Sequence, residues 1–166
     1  MKKRTAILGS ALFFFLAPGT FAGLLPWLRT GWHMEPPIFG FAGLRIIGGL
    51  LIGAGLYFLL DSFARFALKG LGTPAPIAPP ENLVVSGYYR HTRNPMYVAV
   101  LALILGQALL FGDVFLIAYA VIVWFCFAVF VGGYEEPALR RMFDGDYERY
   151  CENVPRWWPR LRPWSG

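Results

Sequence analysis

Residues 95–134, PMYVAVLALILGQALLFGDVFLIAYAVIVWFCFAVFVGGY, decide how this chain folds. Two uncharged runs, 95–112 and 114–134, are split only by Asp113. A membrane-spanning helix takes about 20 mainly apolar residues. Each run is near that length, and Phe111-Gly112-Asp113 leaves room for nothing but a turn. The pair is therefore expected as a tight antiparallel hairpin of spans. Its open end joins two polar stretches. One is 83–97, LVVSGYYRHTRNPMY; the other begins at Glu135-Glu136. Charges gathered at a membrane edge are costly unless they pair or bind something.

Working outward, the composition agrees with a membrane protein. The 166 residues are 57% hydrophobic and only 15% charged, against about 25% charged in soluble chains. Two more runs reach spanning length: 5–28, between Arg4 and Arg29, and 36–60, between Glu35 and Asp61 and broken only by Arg45. The expected fold is an all-α integral membrane protein of one domain, 1–166. Its parts are spans 5–28, 36–60, 95–112 and 114–134, a cytoplasmic loop over 70–94, and an amphipathic cytoplasmic tail over 135–166. With both ends cytoplasmic, nearly all Lys and Arg fall inside, Arg29 falls outside and Arg45 within a span, a strong positive-inside bias. In a bacterium this is the inner, plasma membrane. The net charge of +5 is thus a topology signal; no basic patch lies on a soluble module, and nucleic acid is not expected. Lys2-Lys3-Arg4 before an apolar run also resembles a signal peptide. The run continues past Ala22 to Leu28 without a clean small-x-small cleavage site, which favours an uncleaved helix. Cys126 falls mid-span and Cys151 in the tail, so they form no disulfide framework.

Pro18 is expected to kink the first span. Residues 29–37 form a short external loop, with Trp27 and Trp32 at interfacial depth and a lone His33. The second span carries Gly40, Gly43, Gly48, Gly49, Gly53 and Gly55. Gly49 and Gly53 have the small-xxx-small spacing of close helix contacts, either within the chain or across a homodimer. Arg45 would sit about 12 Å inside the outer end at 1.5 Å per residue, snorkelling outward or pairing with Asp113. Beyond Asp61 the helix is expected to continue through Lys69, and 70–80, rich in Gly and Pro, cannot be regular helix. In the tail, Leu139, Met142, Phe143, Tyr147 and Tyr150 place most of their side chains on one helical face. The last residues interleave Arg with Trp, which suits either a headgroup-level surface or a cap over the cytoplasmic ends of the helices.

The hairpin brings residues 88–97 next to Glu135 and Glu136. Pro95 suits the first turn of a helix, whose free N–H groups favour an anion. One pocket would then hold those N–H groups and Arg93 on one wall, two carboxylates on the other, and aromatic faces from Tyr88, Tyr89 and Tyr97. A zwitterion carrying a flat ring and a sulfonium, such as S-adenosylmethionine, fits all three. An ion-paired hairpin base with no ligand fits the spacing as well.

The order of residues separates these readings. Gly87-x-Tyr89-x-x-x-Arg93-Asn94-Pro95-x-Tyr97, an apolar hairpin, and Glu135-Glu136-x-x-Leu139-x-x-x-Phe143-x-x-x-Tyr147-x-x-Tyr150-x-x-x-Val154-Pro155-Arg156 resemble the isoprenylcysteine carboxyl methyltransferase family. That family is related to the membrane phospholipid N-methyltransferases. The resemblance covers 81 to about 159. It implies an S-adenosylmethionine site made by Leu83, Val84, Tyr89, the Asn94-Pro95-Met96-Tyr97 turn and Glu135, which takes the ammonium. Glu136 either assists or orients Arg140 or Arg141. Many members have His where this chain has Asn94. Asparagine can donate to a carboxylate but cannot carry a proton, and His91 is out of register to replace it.

Methyl transfer needs the reacting groups held in line and dry. A carboxylate or thiolate acceptor needs no base; an amine does, and Glu135, Glu136 or a tyrosine are the candidates. Arg141 is the candidate grip on an anionic acceptor, with a solvated tail charge as its other reading. The acceptor is expected to be lipophilic, entering from the bilayer lipids: an isoprenylcysteine-like carboxylate, another hydrophobic thiol or carboxylate, or a phospholipid amine. A small scaffold or transporter subunit is the alternative of another class, but only Arg45 and Gln107 lie mid-span, few for a transporter. A nicotinamide-dependent reductase would want a dinucleotide fingerprint, which is missing.

Overall fold

The computed structural model describes residues 3–70 and 80–165. Most of the connector expected over 70–80 therefore lies outside the described residues. All regular structure in the described residues is helical. The elements are α1 (Lys3–Leu16), a wide π-helical segment (Gly19–Leu24), α2 (Leu25–Thr30), α3 (Gly43–Arg65) with a second wide segment (Phe66–Gly70), α4 (Pro95–Phe111), α5 (Phe115–Phe130), a third wide segment (Val131–Glu135) and α6 (Glu136–Asn153). Short 3-10 turns cover Ile38–Gly40 and Gly87–Arg90. Among the described residues, three helical runs are long and apolar enough to cross a membrane: Ile7–Thr30, Gly43–Gly70 and Phe115–Asn153, the last kinked at Asp144 (φ 41°). The helix Pro95–Phe111 is apolar but shorter. Leu8, Leu12, Phe15, Ile46, Leu50, Phe125 and Val129 are exposed, the pattern of a multi-pass membrane fold whose outer surface meets hydrocarbon.

Two of the three wide segments, Gly19–Leu24 and Val131–Glu135, follow from proline. Proline lacks an N–H and clashes with the carbonyl four residues back. Pro26 directly follows the segment Gly19–Leu24 across Leu25, and Pro137 follows Val131–Glu135 across Glu136. Opening the turn relieves the clash. The carbonyl of Ala22, deprived of its α-helical donor at Pro26, accepts from Gln107 Nε2 at 2.6 Å. Gln107 also receives Trp32 Nε1 at 3.3 Å. The buried Gln107 thus ties span 1 to α4, and Tyr119 Oη, donating to Phe21 O at 2.9 Å, ties the same span to α5.

α3 and α4 pack antiparallel with their backbones in close approach. A Cβ on Gly48 would meet Gly106 O and Leu110 N at 2.7 Å, and one on Gly106 would meet Gly48 O at 2.8 Å. Gly55 faces Ala99 O in the same way, at 3.1 Å. The expectation that Gly49 and Gly53 supply the intramolecular contact is corrected: a Cβ at either would meet nothing within 4 Å beyond its own helix backbone, and both are exposed. Glycine pattern alone does not say which face points inward; the neighbouring helix selects Gly48 and Gly55.

The outer end of the hairpin is closed by Gly112 in a left-handed conformation (φ 83°), whose bare Cα sits against the Pro36 carbonyl. Asp113 Oδ1 accepts from Phe115 N at 2.8 Å and so caps α5. The carboxylate pairs with Arg29 at 3.4 Å, so Arg45 does not pair with it. The helix of span 2 starts at Gly43, not near residue 36, because Pro36 and Pro37 and the turn at Ile38–Gly40 precede it. Arg45 is therefore at the helix mouth and donates to Glu35 O at 2.5 Å. At the other end, α5 does not stop at Tyr134 to begin a separate tail helix; it runs on through the wide segment into α6. The expected extension of span 2 through Lys69 is present.

The glycine packing gives a direct test. Gly48→Ala is expected to cost about 1–3 kcal/mol, the usual penalty of overpacking. Gly53→Ala, in open space, is expected to be neutral or slightly stabilising through helix propensity. Thermal unfolding of the two variants in one detergent checks the contrast; equal behaviour would contradict the α3–α4 contact.

Candidate functional site

The inner ends of α4 and α5 meet, and the loop before α4 is pinned against the tail after α6. Pro95 occupies the first turn of α4. Thr92 Oγ1 and Asn94 Nδ2 both donate to Arg156 O at 3.0 Å, and Arg93 N donates to Pro155 O at 2.9 Å. Further along, Arg160 N donates to His91 O, and His91 Nδ1 lies 2.7 Å from Arg160 O. Trp164 N donates to Arg90 O, and Arg90 Nε to Trp164 O. Residues 155–164 thus pack over the loop that leads into α4, as the capping reading of the tail expects. Leu139, Phe143, Tyr147, Tyr150 and Val154 form the matching apolar face, packed on Leu83 and Val85. Tyr150 Oη donates to Tyr89 O at 2.6 Å.

The two glutamates have different surroundings. Glu136 is 5% exposed. It accepts from Arg156 Nε at 2.8 Å and Arg156 Nη2 at 2.7 Å, and pairs with Arg93 Nη1 at 3.2 Å. It does not orient Arg140 or Arg141; Arg140 pairs with Glu148 at 3.4 Å. The bidentate contact holds the Arg156 guanidinium above its ordinary range. Glu135, just past the uncharged run, is half-buried and accepts from Tyr97 Oη at 2.9 Å. Burial pushes its carboxyl above the ordinary range; the tyrosine hydroxyl pulls down and the Glu136 charge pushes further up.

Two adjoining cavities open here. The first, between the loop and α6, is lined by Leu83, Val84, Tyr89, Arg93, Asn94, Glu135, Glu136, Leu139, Met142, Tyr147 and Tyr150, among others. The second lies between span 1, α4 and α5. Its walls include Phe13, Phe21, Phe63, Pro95, Met96, Tyr97, Val100 and Phe127. Phe66, Tyr89, Arg93, Asn94, Phe130 and Glu135 line both. Leu83, Val84, Tyr89, Arg93, Asn94, Pro95, Met96, Tyr97, Glu135 and Glu136, the residues expected from the resemblance and the charge pattern, each border one cavity or the other. Tyr88 does not: its ring packs on Phe58 of α3, 4.3 Å between centroids. Nor does Arg141, which is exposed on α6 and lines neither cavity.

Arg93 sits at the junction. Its Nη1 contacts Glu136 and, at 2.5 Å, Cys151 Sγ, while its Nε is buried without a partner. A buried unmatched donor is costly, and this one borders both cavities. Sequence reading missed Arg156, Cys151 and Tyr147 here. Arg156 falls inside the quoted motif, but its partner lies 20 residues away, a pairing only the fold reveals.

The burial difference along this clamp orders three substitutions. Glu136→Gln leaves Arg93 buried without its counter-charge, and a loss of about 3–5 kcal/mol is expected. Arg156→Gln removes a 42% exposed partner and leaves Arg93 on Glu136; it is expected to cost less, about 1.5–3 kcal/mol, the worth of hydrogen bonds to a charged group. Glu135→Gln keeps a hydrogen bond to Tyr97 and is expected to leave stability nearly unchanged. Chemical unfolding in detergent micelles reads the order; a loss at Glu135 as large as at Glu136 would contradict it.

Residues 44–146 match a family model described as phospholipid methyltransferase. A curated relative, "Protein-S-isoprenylcysteine O-methyltransferase B" of Arabidopsis thaliana, is 38% identical over 74 residues, which is 44% of this chain and 37% of that protein. The chain thus spans well under half the length of that relative in the matched region. No solved structure matches. The family match takes in the α3–α4 contact, the polar loop, both glutamates and most of the first cavity, and on that extent the chain belongs to the phospholipid methyltransferase family.

Proposed function

We propose that this chain is an integral-membrane, S-adenosylmethionine-dependent methyltransferase acting on a lipophilic acceptor. The observation that carries it is the pair of cavities sharing Arg93, Asn94 and Glu135. One is flanked by charges, the other walled by Phe, Met and Val from helices that face lipid. The composition of the walls suits a polar cosubstrate in the first and an apolar chain in the second.

The residues fit the cofactor. Arg93 Nε, buried and unmatched, together with the free N–H groups of the α4 N-terminus, suits a carboxylate. Glu135 suits the ammonium, and Tyr89 offers an aromatic wall. S-adenosylmethionine supplies a methyl group on a sulfonium, ready for in-line displacement. Tyr97 orients the Glu135 carboxylate. Glu136 neutralises the remainder of Arg93, so the loop keeps its place when the first cavity is filled. The apolar second cavity aligns the acceptor and keeps water from the reacting atoms. An isoprenylcysteine-like carboxylate, or a hydrophobic thiol as its thiolate, would react there without a base. A phospholipid amine is the second reading; the raised carboxyl of Glu135 favours it, since a base works best with a pKa near the operating pH.

The four apolar helical segments are read as four spans with both ends cytoplasmic, supported by the inward bias of Lys and Arg. Gly49 and Gly53, exposed and with nothing nearby, suit a homodimer contact.

Calorimetric titration of S-adenosylmethionine into the detergent-solubilised chain is expected to give one site. Glu135→Gln should weaken it by about 1.5–3 kcal/mol, the worth of a hydrogen bond to a charged group. The ammonium needs the ionised carboxylate, and burial raises the Glu135 titration. Affinity is therefore expected to be full at pH values above that raised range and to fall as pH drops through it. Glu135→Gln should flatten the dependence. No binding by folded protein would return the scaffold reading. Transfer of a labelled methyl group to membrane lipid, and to prenylated or small thiols, separates the acceptor classes.

A further inference from the structure

A third cavity lies on the cytoplasmic side, behind the loop, and the proposed methyl transfer makes no use of it. It is framed by the inner end of α3, the loop 83–90, α6 and the tail. Arg65, Lys69, Arg90 and Arg149 line it from these separate elements. Asp146 is the one carboxylate in its wall among the described residues.

The cations are held in different ways. Arg65 Nε is fixed by Asp61 at 2.6 Å, and its side chain lies flat on the backbone of Gly87, where any Cβ would collide with it. Gly87 has φ 59°, so both its conformation and its missing side chain serve that contact. Arg90 Nε is bonded to the Trp164 carbonyl, a neutral acceptor, and among the described residues Arg90 has no carboxylate within ion-pair distance. Lys69 and Arg149 are exposed and have no carboxylate within ion-pair distance among the described residues. Ser86 Oγ, in the same wall, is buried without a hydrogen-bond partner. Lys69, Arg90 and Arg149 add positive charge around one cavity beyond the paired Arg65, and a buried hydroxyl without a partner is costly. A single multivalent oxyanion would relieve both.

We propose that this cavity binds a phosphate group. A phosphate presents several acceptor oxygens with one or two negative charges, and guanidinium forks match it. Leu83, Val85 and Trp164 form an apolar side to the same cavity. The phosphate can therefore belong to a membrane phospholipid whose glycerol end lies on those residues, or to a soluble ion. Leu83 also lines the first cavity, so the site borders the proposed cofactor pocket without sharing its charged residues. The assignment does not depend on the methyltransferase reading.

The test uses the full chain in neutral detergent. One arm titrates inorganic phosphate by calorimetry. The other counts bound phosphatidylglycerol against phosphatidylcholine by native mass spectrometry. Saturable binding of one phosphate or one phosphatidylglycerol per chain is expected, and the arm that responds names the source. The double variant Lys69→Gln/Arg149→Gln is expected to weaken it about tenfold or more, the loss of charged hydrogen bonds. Lys69→Arg/Arg149→Lys should retain it. Both positions are exposed, and S-adenosylmethionine titration of the same variants separates failure of this site from failure of the cofactor site. No saturable binding in either arm, or binding unchanged by the charge-removing pair, overturns the proposal.

Discussion

The inner end of this molecule rests on one buried carboxylate. Glu136 receives two hydrogen bonds from Arg156 and pairs with Arg93. These residues belong to α6, the tail and the loop before α4, which are otherwise joined by hydrogen bonds to neutral acceptors and by apolar contact. Removing a charge from water is expensive, and a buried pair offsets that cost only when its hydrogen bonds are complete. Completing them fixes three segments at once. With the loop so held, Asn94, Tyr89 and the start of α4 face Glu135 across a gap, and the gap is the pair of cavities.

The adjacent glutamates therefore divide the work. Glu136 is spent on structure, whereas Glu135 keeps one hydroxyl partner and borders open space. The wide helical turn Val131–Glu135 sits where this division is made. Gly132 and Gly133 ease it, and Pro137 demands it. A regular α-helix would have rotated these residues differently with respect to α4. The same device recurs ahead of Pro26, where the orphaned carbonyl finds Gln107. In both cases proline disrupts a helix and a side chain on another element exploits the disruption.

Much of this was legible in the sequence because membrane spans obey a simple length and charge rule. Asp113 between two uncharged runs forced the hairpin, and the hairpin forced residues 88–97 and 135–136 together. What stayed hidden depends on direction. Gly48, Gly49, Gly53 and Gly55 read alike as letters; only the position of α4 distinguishes the buried pair from the exposed one. Arg45 looked mid-span because Pro36 and Pro37 were counted as helix. Asp113 had two candidate arginines, and a one-dimensional reading had no means to choose Arg29. Arg141 looked like a grip on substrate because it is close in sequence to the glutamates, yet the helix turns it outward. The wide turns have no signature in hydrophobic spacing, since a single inserted residue shifts the period too little to register.

The central claim is that the first cavity, between the pinned loop and α6, is where S-adenosylmethionine sits. Met142 lines that cavity and reaches its surface, and Arg141 beside it does not line it. The most direct measurement is the maleimide labelling rate of Met142→Cys and Arg141→Cys, each in a chain whose Cys126 and Cys151 are replaced by serine. Saturating S-adenosylmethionine should slow labelling at 142 and leave 141 untouched. Equal rates at 142 with and without it would contradict the account.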